Sequence, residues 1–218
     1  MSDESLFREV DEEVRQEQFK KLWARFGNAV IGLCVLVIVA VAGYQGWRYW
    51  QNKQSNEAGD AFFAAAELDS AGKTDEALKQ FATISKTGFA ELARLREAAA
   101  LGQQGKTADA LKLYDAVAAD ATVDGSLRDL ARIRAAALLA NTASLAELET
   151  RLKPFDVDGN PWRNIAREIT AATAFRLKDY ATADRVVQEI LGDPTAAANL
   201  RQRAQMMATI LQPMVGAK

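Results

Sequence analysis

Twenty-two consecutive residues, Phe26 to Trp47, carry no charge, and no other feature of the chain limits its fold so strongly. As a helix rising about 1.5 Å per residue, the stretch reaches about 33 Å, enough to cross a hydrocarbon core of about 30 Å. Its centre, from Val30 to Val39, holds no polar side chain. Trp23 and Phe26 flank one end, and Tyr44, Trp47, Tyr49 and Trp50 the other, where amphipathic rings favour the headgroup region. The stretch reads as a transmembrane helix. It divides the chain into a tail (1–25), the span (26–47), a juxtamembrane linker (48–56) and a large remainder (57–213).

Charge sets the orientation. The twenty residues before the span carry five Lys or Arg, and the twenty after it carry two. Acidic residues weigh little in this rule, so the tail is expected in the cytoplasm and the remainder outside it. Ala40-Val41-Ala42 would fit a processing site, which leaves a cleaved and soluble exported protein as an alternative. An uncleaved anchor fits better, because the preceding segment is long and acid-rich and apolar residues continue to Trp50. Cys34 does not follow a plausible cleavage point, so a lipid-modified N-terminus is not expected.

Beyond residue 53, 20 Lys or Arg stand against 22 Asp or Glu, a balance without the basic footprint of a nucleic-acid-binding domain. The chain has no His, and its one Cys lies inside the apolar run. These counts remove disulfides, His-based acid–base catalysis, Cys nucleophiles and most zinc sites. Neither a Gly-rich phosphate loop nor a nucleophile elbow is present. Acid pairs such as Asp75-Glu76 fall at expected helix starts, where capping accounts for them. No enzyme activity, cofactor, metal or nucleic acid is therefore expected.

The remainder repeats. Gly72-Lys73-Thr74-Asp75-Glu76-Ala77-Leu78-Lys79-Gln80-Phe81 recurs 33 residues later as Gly105-Lys106-Thr107-Ala108-Asp109-Ala110-Leu111-Lys112-Leu113-Tyr114. A period of this size points to stacked helix pairs. Turns placed at Gly72, Gly105, Asn141 and Lys178 each have an alanine five residues on: Ala77, Ala110, Ala146 and Ala183. The pattern predicts an all-α solenoid with helix pairs at 57–71/74–86, 89–104/107–119, 126–140/144–153 and 161–177/180–191. A C-terminal capping helix follows at 195–211. Asn160 is expected to cap the helix that Pro161 opens.

The turn glycine, then Ala77 with Phe81 and Ala110 with Tyr114, resembles the tetratricopeptide repeat. The third and fourth units depart from it, with Thr150 and Val187 where an aromatic is expected. The whole layout resembles the YfgM-like family. Its features here are Glu13-Val14-Arg15-Gln16-Glu17 and Lys21-Leu22-Trp23-Ala24-Arg25-Phe26-Gly27 in the tail, a span ending Gly46-Trp47-Arg48-Tyr49-Trp50, and the degenerate repeats. The resemblance implies an ancillary subunit of the bacterial SecYEG translocon, single-pass in the inner membrane with its repeats in the periplasm. It would work beside periplasmic chaperones on newly exported clients. A cell-envelope scaffold that organises assembly or division complexes, without binding export clients, is the other reading.

Solenoids bind mainly through the surface of their first helices. There an Ala-Arg dipeptide recurs at Ala93-Arg94, Ala131-Arg132 and Ala166-Arg167, and the three arginines form a candidate ladder for carboxylates or carbonyls of an extended client. Their alternative role is ordinary surface pairing. Phe62 and Phe63 are adjacent and cannot share one core stripe, so one of them is expected to be exposed as a hydrophobic contact. Of the large aromatics Phe62, Phe63, Phe89, Phe155, Trp162 and Phe175, most are expected in the core. Leu6, Val10 and Val14 would align on one face of a tail helix that could dock to a partner.

Overall fold

In the computed structural model the backbone of residues 3–85 and 88–215 is described, and side chains from Lys20 onward except Leu22. Among these residues there are nine helices and no strand: α1 (Asp3–Ser70), α2 (Thr74–Thr83), α3 (Phe89–Gln103), α4 (Thr107–Ala119), α5 (Gly125–Leu139), α6 (Leu145–Leu152), α7 (Arg163–Arg176), α8 (Tyr180–Gly192) and α9 (Ala198–Val215). The chain divides into two units, 1–56 and 57–218. The first consists of the earlier part of α1. Over Trp23–Ser70 this helix contains a segment long and apolar enough to span a membrane, with the span's Val, Leu and Ile side chains open to the surroundings. Residues 48–56, expected as a linker, are helical within α1. The proposed Leu6-Val10-Val14 face lies outside the described side chains.

The second unit begins with the end of α1, which pairs with α2. The pairs α3/α4, α5/α6 and α7/α8 follow, and α9 closes the series. Four core clusters succeed one another along the chain, each built from one pair and the first helix of the next. The fold is thus held by neighbour-to-neighbour burial, as a one-dimensional stack requires. Alanines at 0% exposure, among them Ala65, Ala98 and Ala136 on first helices and Ala77, Ala110 and Ala183 on second helices, let the backbones approach closely. Larger groups fill the remaining space: Phe81, Tyr114, Phe155 and Ile190.

Three of the turns share one geometry. Gly72 (φ +78°), Gly105 (φ +76°) and Lys178 (φ +64°) adopt the left-handed conformation. The next amide reaches back five residues each time, Lys73 to Leu68 O, Lys106 to Leu101 O and Asp179 to Ala174 O, all at 2.9 Å. This Schellman closure satisfies carbonyls that the helix end leaves open. Gly adopts that φ without strain, and Lys178 does not.

The third turn differs, and the structure corrects the expected register there. Asn141 does not take a positive φ. The chain instead runs two residues further before α6, with Thr142 and Ala143 donating to Leu139 O and Ser144 Oγ accepting from Glu147 N at 3.3 Å. Ala146 is consequently exposed, and Leu148 (0% exposed) holds the place that Ala77, Ala110 and Ala183 hold elsewhere. Four residues on, the aromatic position of the third pair is Leu152 (2% exposed), not Thr150. Val187 does fill that position in the fourth pair, at 0% exposure.

Smaller departures concern helix ends. α2 stops at Thr83, α7 begins at Arg163 after Pro161, and α9 starts at Ala198 and continues through Pro213 to Val215. Asn160 accepts from the Trp162 amide at 2.8 Å, but Trp162 itself is the residue that precedes α7, so Asn160 braces the entry to the helix and does not cap it. Phe155 is core, whereas Phe89, Trp162 and Phe175 are half-buried.

Candidate protein-binding surface

The candidate binding residues all lie on first helices. Arg94 in α3 and Arg132 in α5 converge on the end of α4. Arg94 reaches Asp120 at 4.0 Å, while Arg132 donates to Ala118 O at 3.3 Å and to Asp129 at 2.9 Å. Arg167 in α7 sits apart from them, at the end of α8, with Asp156 at 2.8 Å, Glu189 at 3.5 Å and Asp193 at 3.9 Å. The motif has a fourth member that sequence reading missed. Leu200-Arg201 in α9 stands in the same phase, and Arg201 donates to Asp193 O and Ala196 O, each at 3.2 Å. A second helix ends with open carbonyls and the negative pole of its dipole, so a cation is favoured there. Arginines from the flanking first helices supply it, two at α4 and two at α8.

Asp193 forms a buried polar hub that the sequence showed only as a helix break. One carboxylate oxygen accepts from Thr195 N at 2.8 Å and Thr195 Oγ1 at 2.6 Å. The other accepts from Arg163 at 2.5 Å and Asn164 at 3.0 Å. With its side chain 2% exposed, burial disfavours the charge, and these donors, above all the Thr195 hydroxyl, outweigh that penalty. They hold its carboxyl far below the ordinary aspartate range. Arg163 is also paired with Asp158. Nearby, the shortness of α6 leaves a groove of about 570 Å³ between α6, α7 and α8, floored by Leu152, Ala166 and Val186.

Phe62 and Phe63 separate as their adjacency requires. Phe62 is half-buried against Phe81 and Phe89 at 5.8 and 5.7 Å between ring centres. Phe63 is 66% exposed, touching Phe62 and Phe89 by ring edges. At Gly59 a side chain would meet the Phe89 ring at 3.3 Å, so glycine lets that ring close over α1.

Charge is uneven along the stack. The first helices α3, α5, α7 and α9 carry ten arginines, no lysine and four carboxylates, a net charge of +6, whereas the end of α1 from residue 57 to 70 carries four carboxylates and no cation. The second helices α2, α4, α6 and α8 carry four cations against eight carboxylates, a net charge of −4. Among the described residues no group of three or more His, Cys, Asp or Glu could hold a metal ion.

A stack of short helix pairs with Schellman turns, small residues at the crossings and a charged first-helix surface defines an α-helical repeat protein. More narrowly, the sequence model of the tetratricopeptide repeat-like domain matches residues 20–158, and the chain belongs to that family. The match runs from the end of the tail through the first three pairs. No curated protein and no solved structure matches the chain. Repeats of this family typically serve as protein-interaction modules without catalysis of their own.

Proposed function

We propose that this protein is a membrane-anchored protein-binding module. Residues 26–47 hold it in the bacterial inner membrane, residues 1–25 lie in the cytoplasm, and the repeats of 57–213 lie in the periplasm. Its partners would be the SecYEG translocon, periplasmic chaperones and newly exported clients, as its resemblance to the YfgM-like family suggests. The observation that carries this reading is the joining of one long apolar helix to a tetratricopeptide repeat-like stack. The excess of Lys and Arg before the span supports the orientation. Arg94, Arg132, Arg167, Phe62 and Phe63 mark the first-helix surface on which binding is assigned.

Photo-crosslinkers placed along that surface in intact cells test the reading. Adducts with translocon subunits and nascent exported chains are expected. Adducts with envelope assembly proteins alone would instead make the chain a scaffold. Protease added to spheroplasts should degrade 57–213 and spare the tail. Protection of the repeats would invert the topology and refute the proposal.

A further inference from the structure

The arginines of the recurring dipeptide are engaged by helix ends, but a second row lies two residues further on. Arg96 and Arg134 each precede a wholly buried alanine by two positions, Ala98 and Ala136. Phe63 stands in the same relation to Ala65 in α1. These three residues therefore occupy equivalent places on three successive first helices. All three are exposed. Neither Arg96 nor Arg134 has a hydrogen bond or ion pair among the described residues, although the charge of Arg134 is felt by the buried Tyr114 hydroxyl. The row stops at α7, where Ile169 (8% exposed) turns inward, and beyond it Arg203 is paired with Glu168 at 2.5 and 2.8 Å. Alongside run Ala66, Ala99, Ala137 and Ala172, whose small side chains leave room for a polypeptide backbone.

We infer that Phe63, Arg96 and Arg134 form a binding track for an extended acidic polypeptide that carries one apolar residue and then carboxylates at every third position. Spacing sets the register. Adjacent packed helices lie about 8–10 Å apart, and an extended chain covers about 10 Å in three residues. The occupant's apolar side chain meets the open Phe63 ring, and its two carboxylates meet the two guanidiniums, which suit bidentate pairing. Charge complementarity selects the occupant. The helices that present the two guanidiniums, α3 and α5, carry five arginines, no lysine and three carboxylates. The end of α1 around Phe63 carries four carboxylates and no cation, so the occupant's carboxylates belong at α3 and α5 and its apolar residue at α1. The track rests on the protein-binding reading above and names the class of ligand.

The test uses the full chain in nanodiscs of zwitterionic lipid and a fluorescein-labelled peptide of pattern Phe-x-x-Asp-x-x-Asp, read by anisotropy. Binding should weaken steeply with salt. It should fall at least about tenfold for the Asn-for-Asp peptide, for a peptide whose acids are moved by one position, and for R96Q/R134Q. The charge-reversed R96E/R134E chain should prefer the Lys-for-Asp peptide, a gain that misfolding cannot produce. Equal binding of all peptides, or wild-type binding by R96Q/R134Q, overturns the track. Crosslinking at Phe63 separates the two levels: client adducts with no acidic-peptide preference sink the track alone, and absence of any protein adduct sinks the binding function with it.

Discussion

Replacing Asp193 by Asn tests whether the hub holds α7 to the turn between α8 and α9. The substitution keeps the shape and an oxygen for the Thr195 amide. It removes the charge and turns an NH2 group toward Arg163 or Asn164, both of which are donors. Removing one member of a buried charge pair costs about 3–5 kcal/mol. Here Arg163 keeps Asp158 and is 14% exposed, so the cost falls to the lower end of that range or just below it, about 2–3 kcal/mol. For a unit of this size that corresponds to about 5–10 °C in Tm. The full chain in detergent, heated and followed by hydrogen exchange in α7–α9 peptides, should show the loss there first.

The pH dependence has a definite sign. The folded carboxyl titrates below its ordinary 3.8, so on acidification the unfolded chain takes up the proton first. The contribution is complete above about pH 5 and declines as pH falls through 4 toward the folded value. The gap between wild type and D193N should therefore narrow in acid. A gap below about 0.5 kcal/mol at pH 7, or one that widens in acid, would refute the account of the hub.

The corrected register of the third pair predicts that L148A costs about 2–5 kcal/mol, because Leu148 is wholly buried. A146L should stay within about 0.5 kcal/mol, since its side chain enters solvent. Urea titration of both variants checks the pair, and the reverse order would restore the turn at Asn141. Lys178→Gly should stabilise the fold by up to about 1 kcal/mol by relieving its positive φ, read as a higher urea midpoint.

How far the fold was legible depended on how local each cause was. The apolar run from Phe26, the Gly72/Gly105 repeat and the alanines near the crossings are short-range patterns, and they gave the all-α stack and most helix bounds. The third pair was not legible because its turn has no left-handed residue, so it departs from the geometry of the other three. Asn141 and Ala146 imitated the spacing, while Ala143 and Leu148 occupied the buried places. The Asp193 hub joins residues about thirty positions apart, Arg163 and Asn164 with Asp193 and Thr195, and no periodicity announces such a contact.

The two arginine rows explain why the candidate surface was only half visible. The Ala-Arg dipeptides at Arg94, Arg132 and Arg167 set cations at the ends of α4 and α8, where carboxylates and one carbonyl receive them, so their recurrence reports a demand of the fold as readily as one of a ligand. Residues two apart on a helix do not face each other. Arg96 and Arg134 thus point away from those helix ends and have no structural task among the described residues. Of the ten arginines on α3, α5, α7 and α9, those that pair give up hydration and rotamer freedom, and those that do not stay hydrated and mobile. Carbonyls and carboxylates of the stack occupy most of them, and those left open beside Phe63 are where an external carboxylate has least competition.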